Sequence, residues 1–327
     1  MASNKEKILD YIRQRKQVTV SDLLDEVDIE RAMIHRHLLA LAEEGLIMKI
    51  GSAPRVVYVP ADTVRDVSAR DIPVLDAATK AIIDEKFLLV TPQGERLEGM
   101  LAFERWCADR RFDVTKKAAE YVSLSKKYAD MRKGGLLDGS KKFRKTFGDD
   151  DVVDAVYYVD FYAWEIFGKT KLGQLLLYAK QSQDKRMIRE LAERVLPYVE
   201  RIISKHHIEA IGYIPPTVKR TVQLMDGLQK TVRSPLPEIG LEKIVGAVRV
   251  PQKTLSSLED RIQNARAGIF VSDRRSFGTV LLIDDAVGSG ATFNETARKL
   301  KEQGVAKKVI CLSIVGSLKG FDVISEV

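Results

Sequence analysis

"VLLIDDAVGSGATFNETARKLKEQG", residues 280–304, has the pattern of a strand, a tight loop and a helix. The apolar run 280–283 suits a strand that is buried on both faces. Thr292 is a favourable helix N-cap, and Glu295 three residues later would complete a capping box. Gly304 is a natural stop for the helix. The stretch therefore predicts an α/β unit in which small residues join the strand to the helix.

This stretch also has the features of an anion site. The backbone amides of residues 288–292 are expected to converge at the start of a helix, where the helix dipole favours negative charge. Asp284 and Asp285, at the end of the strand, would accept hydrogen bonds from sugar hydroxyls or hold a hydrated Mg²⁺. A ligand with a ribose, a phosphate and a metal satisfies all of these features. The structural alternative is an ordinary strand–turn–helix with a solvated acidic turn.

Residues 283–292, IDDAVGSGAT, resemble the phosphoribosyl-pyrophosphate (PRPP) motif of type I phosphoribosyltransferases. The resemblance implies an α/β fold with a mostly parallel sheet and flanking helices. It implies that Asp284 and Asp285 are the catalytic pair, which contacts the ribose hydroxyls and Mg²⁺ through water. The implied cradle for the 5′-phosphate consists of Val287, Gly288, Ser289, Gly290, Ala291 and Thr292.

Residues 169–220 and 250–271 are similar to the ComF family of competence-associated phosphoribosyltransferase-like proteins. This likeness runs from about residue 151 to the C-terminus. It implies a strand at 208–214 followed by a pyrophosphate loop that contains Pro215, Pro216, Lys219 and Arg220. It also implies a mobile loop that closes over the site, with Gln252, Arg261 and Asn264 at the matching positions.

The chain departs from these families at two places. Its two cysteines, Cys107 and Cys311, are far apart, so no zinc ribbon is possible. Purine-salvage members have an Asp where this chain has Gly288, which argues against hypoxanthine or guanine as the acceptor. The implied transfer needs no covalent nucleophile, and a protein that only senses PRPP would need the same residues.

Residues 4–60 are expected to form three helices and a β-hairpin, a pattern that resembles bacterial winged helix-turn-helix domains, and we assign residues 1–61 to this domain. On the third helix, Arg31, His35 and Arg36 lie opposite the apolar stripe, where they would face a DNA major groove. Arg55 in the wing would reach a minor groove or a phosphate. Residues 1–60 contain nine Lys/Arg and nine Asp/Glu, so a partner-binding or dimerising module is the alternative.

Residues 62–150 are expected to be a linker followed by a basic, mostly helical region, and residues 151–327 a phosphoribosyltransferase-like domain. Between residues 115 and 147 there are ten Lys/Arg and three Asp/Glu, an excess of +7 that equals the net charge of the whole chain. Aromatic residues interleave with these charges, which predicts contact with DNA or RNA. The candidate contacts are Lys126, Lys127, Arg132 and Lys133. A solvated helix face with its aromatics buried is the alternative.

The 327 residues are enough for two or three domains, and no apolar stretch has the length of a membrane span. No signal peptide is recognisable, so we expect a cytoplasmic protein, and we expect a homodimer. Three functions fit these patterns. The first is a phosphoribosyltransferase that uses PRPP and Mg²⁺ on an unknown acceptor. The second is a non-catalytic, PRPP-sensing transcriptional regulator similar to the bacterial purine repressor, and the third is an anti-phage defence effector that acts on nucleotides or nucleic acid.

Overall fold

The computed structural model describes residues 3–52, 55–61, 75–244, 246, 250 and 254–317. The chain divides into two compact units, one formed by residues 1–77 and 89–115 and the other by residues 78–88 and 116–327. In the described ranges, every helix is too short or too polar to cross a lipid bilayer.

The first unit begins with three helices and an antiparallel hairpin, which confirms the predicted order of elements. These are α1 (Asn4–Arg15), α2 (Val20–Glu26), α3 (Arg31–Glu43), β1 (Ile47–Ser52) and β2 (Arg55–Pro60). Capping boxes built on Ser3 and Thr19 start the first two helices. The three helices close around one apolar core, which includes Ile8, Leu23 and Leu38.

The chain continues through α4 (Ala77–Lys86), β3 (Leu88–Val90), β4 (Arg96–Glu98) and α5 (Gly99–Arg110). Strands β3 and β4 form a two-stranded sheet. Trp106 on α5 is buried and stacks on Phe103, with 6.0 Å between the ring centroids.

The second unit is an α/β structure built on a six-stranded sheet. Its first elements are α6 (Val114–Asp130), β5 (Arg132–Lys133), β6 (Leu136–Asp138), α7 (Ser140–Phe147), β7 (Ala155–Phe161), β8 (Ala163–Trp164) and β9 (Gly168–Lys169). The next are α8 (Lys171–Ser182), α9 (Lys185–His206), β10 (Ala210–Tyr213), α10 (Leu224–Val232) and β11 (Leu241–Lys243). The last are α11 (Leu258–Gly268), β12 (Ile269–Val271), β13 (Phe277–Val287), α12 (Ala291–Glu302) and β14 (Ala306–Gly316).

Strand β13 lies in the interior of the sheet, as its apolar run predicts. The strand order is β10-β13-β14-β7-β6-β5. The first four strands are parallel, while β6 and β5 run antiparallel to their neighbours. Val280, Leu281, Leu282 and Ile283 are all 0% exposed. The sheet is therefore mixed and mostly parallel, with helices packed against it.

The basic region before residue 150 is part of this sheet. Strands β5 and β6 extend the sheet beyond β7, so the sheet continues across the predicted boundary at residue 150. The aromatic side chains of the region are buried: Tyr121, Tyr128, Phe143 and Phe147. These rings pack in the protein interior, as the alternative of a solvated helix face with buried aromatics predicts.

Two crossover connections run in opposite directions across the sheet. The chain crosses from β7 to β10 through α8 and α9, and returns from β13 to β14 through α12. Parallel crossovers are right-handed, so opposite directions place α8 and α9 on one face of the sheet and α12 on the other. In agreement, Leu281 and Ile283 pack in one apolar cluster with residues of α8, α9 and α10.

Asn294, a buried polar residue on α12, ties this helix to the segment before β7. Its side chain is 1% exposed. Its Oδ1 accepts a hydrogen bond from the Val152 amide at 3.1 Å, and its Nδ2 donates to the Asp150 carbonyl at 2.9 Å. Both ends of the amide are thus used to fix α12 against the chain that enters the sheet.

We predict that Asn294→Ala lowers the free energy of unfolding by about 2 kcal/mol, because two hydrogen bonds are lost at a buried position. Urea denaturation measures the change. Thr296→Val is the matched control on the same helix, since among the described residues the buried Thr296 hydroxyl bonds to the Thr292 carbonyl within its own helix. We expect the control to cost less than about 1 kcal/mol. Equal losses in the two variants would contradict the clamp role of Asn294.

Candidate functional site

Asp284 and Asp285 lie near the carboxyl end of β13, and their side chains point to opposite faces of the sheet. Side chains alternate along a strand, so Asp285 shares a face with Leu281 and Ile283, which pack against α8–α10. On that face the Lys180 ammonium of α8 contacts the Asp285 carboxylate, with 2.6 Å from Nζ to Oδ2. Asp284 therefore faces the side on which α12 lies.

The surroundings of Asp284 disfavour its ionised form. Burial and the neighbouring Asp285 carboxylate raise the pKa of Asp284, and Lys180 and Lys243 oppose this shift. The Asp285 amide donates to Asp284 Oδ1 at 2.8 Å, which also favours the charged form. A carboxyl group whose pKa is raised in this way is typical of a functional site, because two adjacent carboxylates are not needed for packing.

The loop after β13 begins α12 two residues earlier than the sequence predicts. Gly290 is the N-cap, in the left-handed region with φ of 84°, so Thr292 lies in the first turn and does not cap the helix. The predicted capping box is also wrong, because the Glu295 carboxylate pairs with Arg266 at 2.8 Å. Glycine is favoured as the cap because a left-handed backbone strains other residues, and the chain must turn sharply here.

The amides of this turn are available to a ligand. Within the described part of the chain, only the Ala291 amide has an internal acceptor, the Ser289 hydroxyl at 3.3 Å. The amides of Gly288, Ser289, Gly290 and Thr292 are given no acceptor by any described residue. Together with the positive end of the α12 dipole, these donors form a site suited to a phosphate.

Helix α7 packs against the turn at Gly290. A side chain at Gly290 would place its Cβ 2.4 Å from Phe143 and 3.2 Å from Phe147. The Phe143 and Phe147 rings pack on each other with centroids 4.7 Å apart. The apolar face of α7 thus fixes the turn, which sequence spacing does not reveal, because about 140 residues separate the two segments in the chain.

The end of β10 adjoins the same site. The Ile214 amide donates to the Ile283 carbonyl at 2.9 Å, so residues 215–220 leave the sheet beside Asp284. The chain after β10 leads to α10, which packs on α9, whereas the chain after β13 leads to α12 on the opposite face. Such a reversal opens a crevice between neighbouring parallel strands, where α/β proteins bind ligands. Pro215, Pro216, Lys219 and Arg220 are all in this segment.

The predicted mobile-loop residues are distributed differently. Arg261 and Asn264 lie on α11, a regular helix, and not on a loop. The Arg261 Nε donates to the Leu255 carbonyl at 2.8 Å, and the Asn264 Nδ2 to the Val250 carbonyl at 3.4 Å. Gln252 lies outside the described residues. The helix is a correction to the loop prediction for Arg261 and Asn264.

Most of the candidate nucleic-acid contacts are exposed, with one exception. Arg31, His35 and Arg36 are exposed on α3, Arg55 lies in β2, and Lys126, Lys127 and Lys133 are exposed in the second unit. Arg132 is half-buried, and its guanidinium donates to the Val159 carbonyl at 2.7 Å and to Asp160 at 3.1 Å. Arg132 therefore takes part in internal hydrogen bonds, and its contact with nucleic acid stays a prediction.

Sequence reasoning missed two lysines beside the acidic pair and a third on α7. Lys180 contacts Asp285, Lys243 lies near enough to Asp284 to affect its pKa, and the Lys142 ammonium donates to the Ser317 carbonyl at 2.7 Å. Burial lowers the pKa of Lys142 and of Lys243. All three lie far from the acidic pair in the sequence, so the spacing of the motif gave no signal for them.

The second unit thus defines a mixed α/β protein with a candidate anion site at the carboxyl end of a mostly parallel sheet. The sequence matches no protein-family model and no curated protein. A solved structure of a hypoxanthine phosphoribosyltransferase from Staphylococcus aureus is similar to this chain with a TM-score of 0.25 and 12% identity. The similarity covers 39% of this chain and 64% of that chain, just under two thirds of its length. A likeness of this size assigns no function.

We predict that Gly290→Ala destabilises the protein more than Gly304→Ala. Both glycines flank α12 with positive φ, 84° and 72°, so both substitutions strain the backbone by about 1–2 kcal/mol. At Gly304 the added Cβ meets nothing within 4 Å, whereas at Gly290 it collides with Phe143. The difference between the two unfolding free energies measures the support that α7 gives the turn. Equal losses would show that α7 does not constrain it.

We predict that Asp284→Asn is more stable than the wild type at pH 8, and that this advantage disappears at pH 4. Because the pKa of Asp284 is raised, the folded state binds more protons than the unfolded state above the ordinary pKa. The free energy of unfolding of the wild type therefore falls as the pH rises from about 4 towards the raised pKa of Asp284. The variant lacks this titrating group, so it does not lose these at least about 1 kcal/mol. Urea denaturation of both proteins across this pH range measures the difference.

Asp273→Asn is the control of opposite sign. The hydrogen bond from Arg275 holds the pKa of Asp273 well below its ordinary value. The stability contributed by Asp273 is thus present above pH 4 and is lost as the pH falls. We expect Asp273→Asn to destabilise the protein at neutral pH. Destabilisation by both substitutions at pH 8 would contradict our interpretation of Asp284.

Proposed function

We propose that the second unit binds PRPP with Mg²⁺ in the crevice between β10 and β13 and transfers its phosphoribosyl group to an acceptor. The observation that supports this most directly is the turn after Asp285, where four amides with no acceptor among the described residues lie beside two carboxylates. In this proposal the domain is phosphoribosyltransferase-like, related to the ComF type, with a winged helix-turn-helix at the N-terminus.

The 5′-phosphate of the ligand binds in the turn 288–292. The free amides donate to its oxygens, and the dipole of the twelve-residue helix α12 adds favourable potential. The small side chains of Gly288, Ser289 and Gly290 let the phosphate approach the backbone closely. Thr292 in the first helical turn offers a hydroxyl in addition.

Asp284 and Asp285 hold the ribose in this proposal. Burial and the neighbouring Asp285 raise the pKa of Asp284, whereas the Lys180 ammonium lies directly against the Asp285 carboxylate. The two carboxyl groups therefore have different chemical roles although they are adjacent. The Lys180 ammonium screens their mutual repulsion until a ligand binds.

The donor set around this crevice fits Mg²⁺ that is shared with a ligand. Among the described residues there is no cluster of three or more metal-ligating side chains, so the protein offers carboxylates and no complete cage. Mg²⁺ commonly keeps its waters and binds one or two carboxylates together with substrate phosphates. Asp284 and Asp285 would hold it through water, and its charge would neutralise the leaving pyrophosphate.

The pyrophosphate binds at the loop after β10. Lys219 is exposed and Arg220 half-buried there, and both are cations at the mouth of the crevice. In the transfer, the bond from ribose C1 to pyrophosphate breaks and a bond from C1 to the acceptor forms. The chain contributes by fixing both phosphate ends of PRPP, so that C1 is presented to the acceptor in a defined position.

A second candidate function is PRPP sensing in a transcriptional regulator. The observation that favours it is the exposed face of α3, where Arg31, His35 and Arg36 lie opposite the buried stripe Ile34, Leu38 and Leu41. An exposed basic helix face of this kind is suited to a DNA major groove. In this case PRPP binds in the same crevice without turnover and changes the affinity for an operator.

Calorimetric titration with PRPP in the presence and absence of Mg²⁺ tests the shared binding step. We expect Mg²⁺-dependent binding that Asp285→Asn weakens at least about tenfold, since a charge-assisted contact is lost. Asp226→Asn, an exposed acid on α10, is the control and should leave the affinity unchanged. Absence of binding at millimolar PRPP would overturn both candidate functions.

Turnover separates the two candidates. Release of pyrophosphate from PRPP with one acceptor in a panel of bases, nucleosides and nucleic acids supports the transferase. Binding without release, together with a DNA footprint that PRPP alters, supports the sensor. Arg36→Ala should remove the footprint and leave PRPP binding intact, because the winged helix and the crevice belong to separate units.

A further inference from the structure

A second cleft, of about 540 Å³, lies within the second unit between α6 and α9. The end of α4, the first turn of α8 and the strands β5, β7 and β8 also contribute to its lining, whereas the acidic pair and the turn 288–292 do not. Its volume is in the range of sites for small organic ligands. The proposed PRPP crevice does not use this cleft.

The cleft carries an excess of positive charge. Its lining contains five cationic side chains and two carboxylates, a difference of +3: Lys86, Arg132, Lys171, Arg194 and Arg201 against Glu85 and Asp160. Arg132 and Asp160 pair at 3.1 Å and neutralise each other. Even with Arg194 paired to Glu190 outside the lining, the remaining cations outnumber the exposed Glu85 carboxylate, which predicts an anionic occupant.

Two of the arginines are held in place on α9 while donors remain for a ligand. One guanidinium nitrogen of Arg201 donates to the Gly134 carbonyl at 2.5 Å. Arg194 contacts Glu190 one turn away, with nitrogen–oxygen distances of 3.2 and 3.3 Å. A guanidinium carries five N–H donors, so these contacts fix each side chain without exhausting it.

Trp164 supplies an unsatisfied donor in the same lining. The residue is 5% exposed, and its indole Nε1 has no hydrogen-bond partner among the described residues. The indole packs against Tyr121 and Tyr128, with centroids 5.4 and 5.3 Å away. A buried N–H without an acceptor costs about 1–3 kcal/mol, and a ligand oxygen or ring nitrogen would remove this cost.

The start of α8 adds a further anion-binding element. Its N-cap, Thr170, accepts a hydrogen bond from the Gly173 amide at 3.0 Å, and Thr170, Lys171 and Leu172 all line the cleft. The positive end of the helix dipole is thus directed at the cleft. Tyr198, half-buried on α9, offers an aromatic surface in the lining.

We propose that this cleft is a second ligand site for a nucleoside phosphate. The phosphate lies among Lys171, Arg194, Arg201 and the start of α8, and the base lies against Tyr198 with an acceptor atom on the Trp164 indole. Lys171 and Lys180 are nine residues apart on α8, a rise of about 13 Å, so the cleft and the PRPP crevice hold separate molecules.

The chain's own tryptophans provide the assay. It has two, Trp106 and Trp164, so Trp106→Phe leaves Trp164 as the only indole emitter. We expect AMP to change the Trp164 emission saturably, with weaker effects from inorganic phosphate or adenosine alone. Calorimetry with AMP on the wild-type chain gives the same affinity without any substitution. No saturable AMP binding, or adenosine binding as tightly as AMP, would overturn the proposal.

Substitutions then locate the bound AMP. We expect Arg201→Gln and Arg194→Gln each to weaken AMP binding about tenfold, and Trp164→Phe to weaken it about fivefold in calorimetry. Arg189→Gln removes an exposed cation of α9 that is outside the lining, and should change nothing. An equal effect of Arg189→Gln would show that the attraction is general and would refute the site.

Asp285→Asn separates this proposal from the proposed function. Asp285 is outside the cleft, so the substitution should leave AMP binding unchanged while it weakens PRPP binding. Loss of AMP binding in Asp285→Asn would mean that AMP occupies the PRPP crevice, which overturns the second site. AMP binding in a chain that binds no PRPP would support the cleft and refute the crevice.

Discussion

The burial of β13 on both faces is the constraint on which the second unit depends. A strand whose four central residues are fully buried must lie inside the sheet with helices on both sides. Once this position is set, alternation of side chains directs Asp285 towards α8 and Asp284 towards the opposite face. The position of the candidate site thus follows from the packing of the strand that precedes it.

The electrostatics of the site disfavour the folded state, and nearby lysines offset part of this cost. Burial of Asp284 beside Asp285 disfavours two negative charges, and Lys180 with Lys243 reduces the cost. Two adjacent acids at the end of a buried strand add no packing energy, and apolar residues there would be more stable. Such a cost is commonly retained where a ligand uses the same groups, since it supplies the charges that the protein itself leaves unbalanced.

The sequence predicts local structure at this site better than its surroundings. The strand, the small-residue turn and the helix follow from periodicity and glycine chemistry within 280–304, but the cap is Gly290 and not Thr292, because the packing of Phe143 and Phe147 decides where the helix starts. Lys180 and α7 are remote from residues 280–304 in the chain, and the sheet topology brings each of them to this segment. Arg132 illustrates the same limit. Its charge suggests a surface contact, yet its guanidinium donates to the Val159 carbonyl and to Asp160.

Helix α8 links the two proposed ligand sites, with Lys171 at one and Lys180 at the other. At physiological ionic strength the screening length is about 8 Å, so anions separated by the length of this helix repel each other weakly. Both sites can therefore be filled at once. Any energetic coupling between them must be carried by movement of α8, and its start is fixed because the Thr170 hydroxyl donates to the Phe161 carbonyl at 2.7 Å. A shift of Lys180 on ligand binding would then bend or rotate the C-terminal end of the helix while the cleft at its other end stays in place.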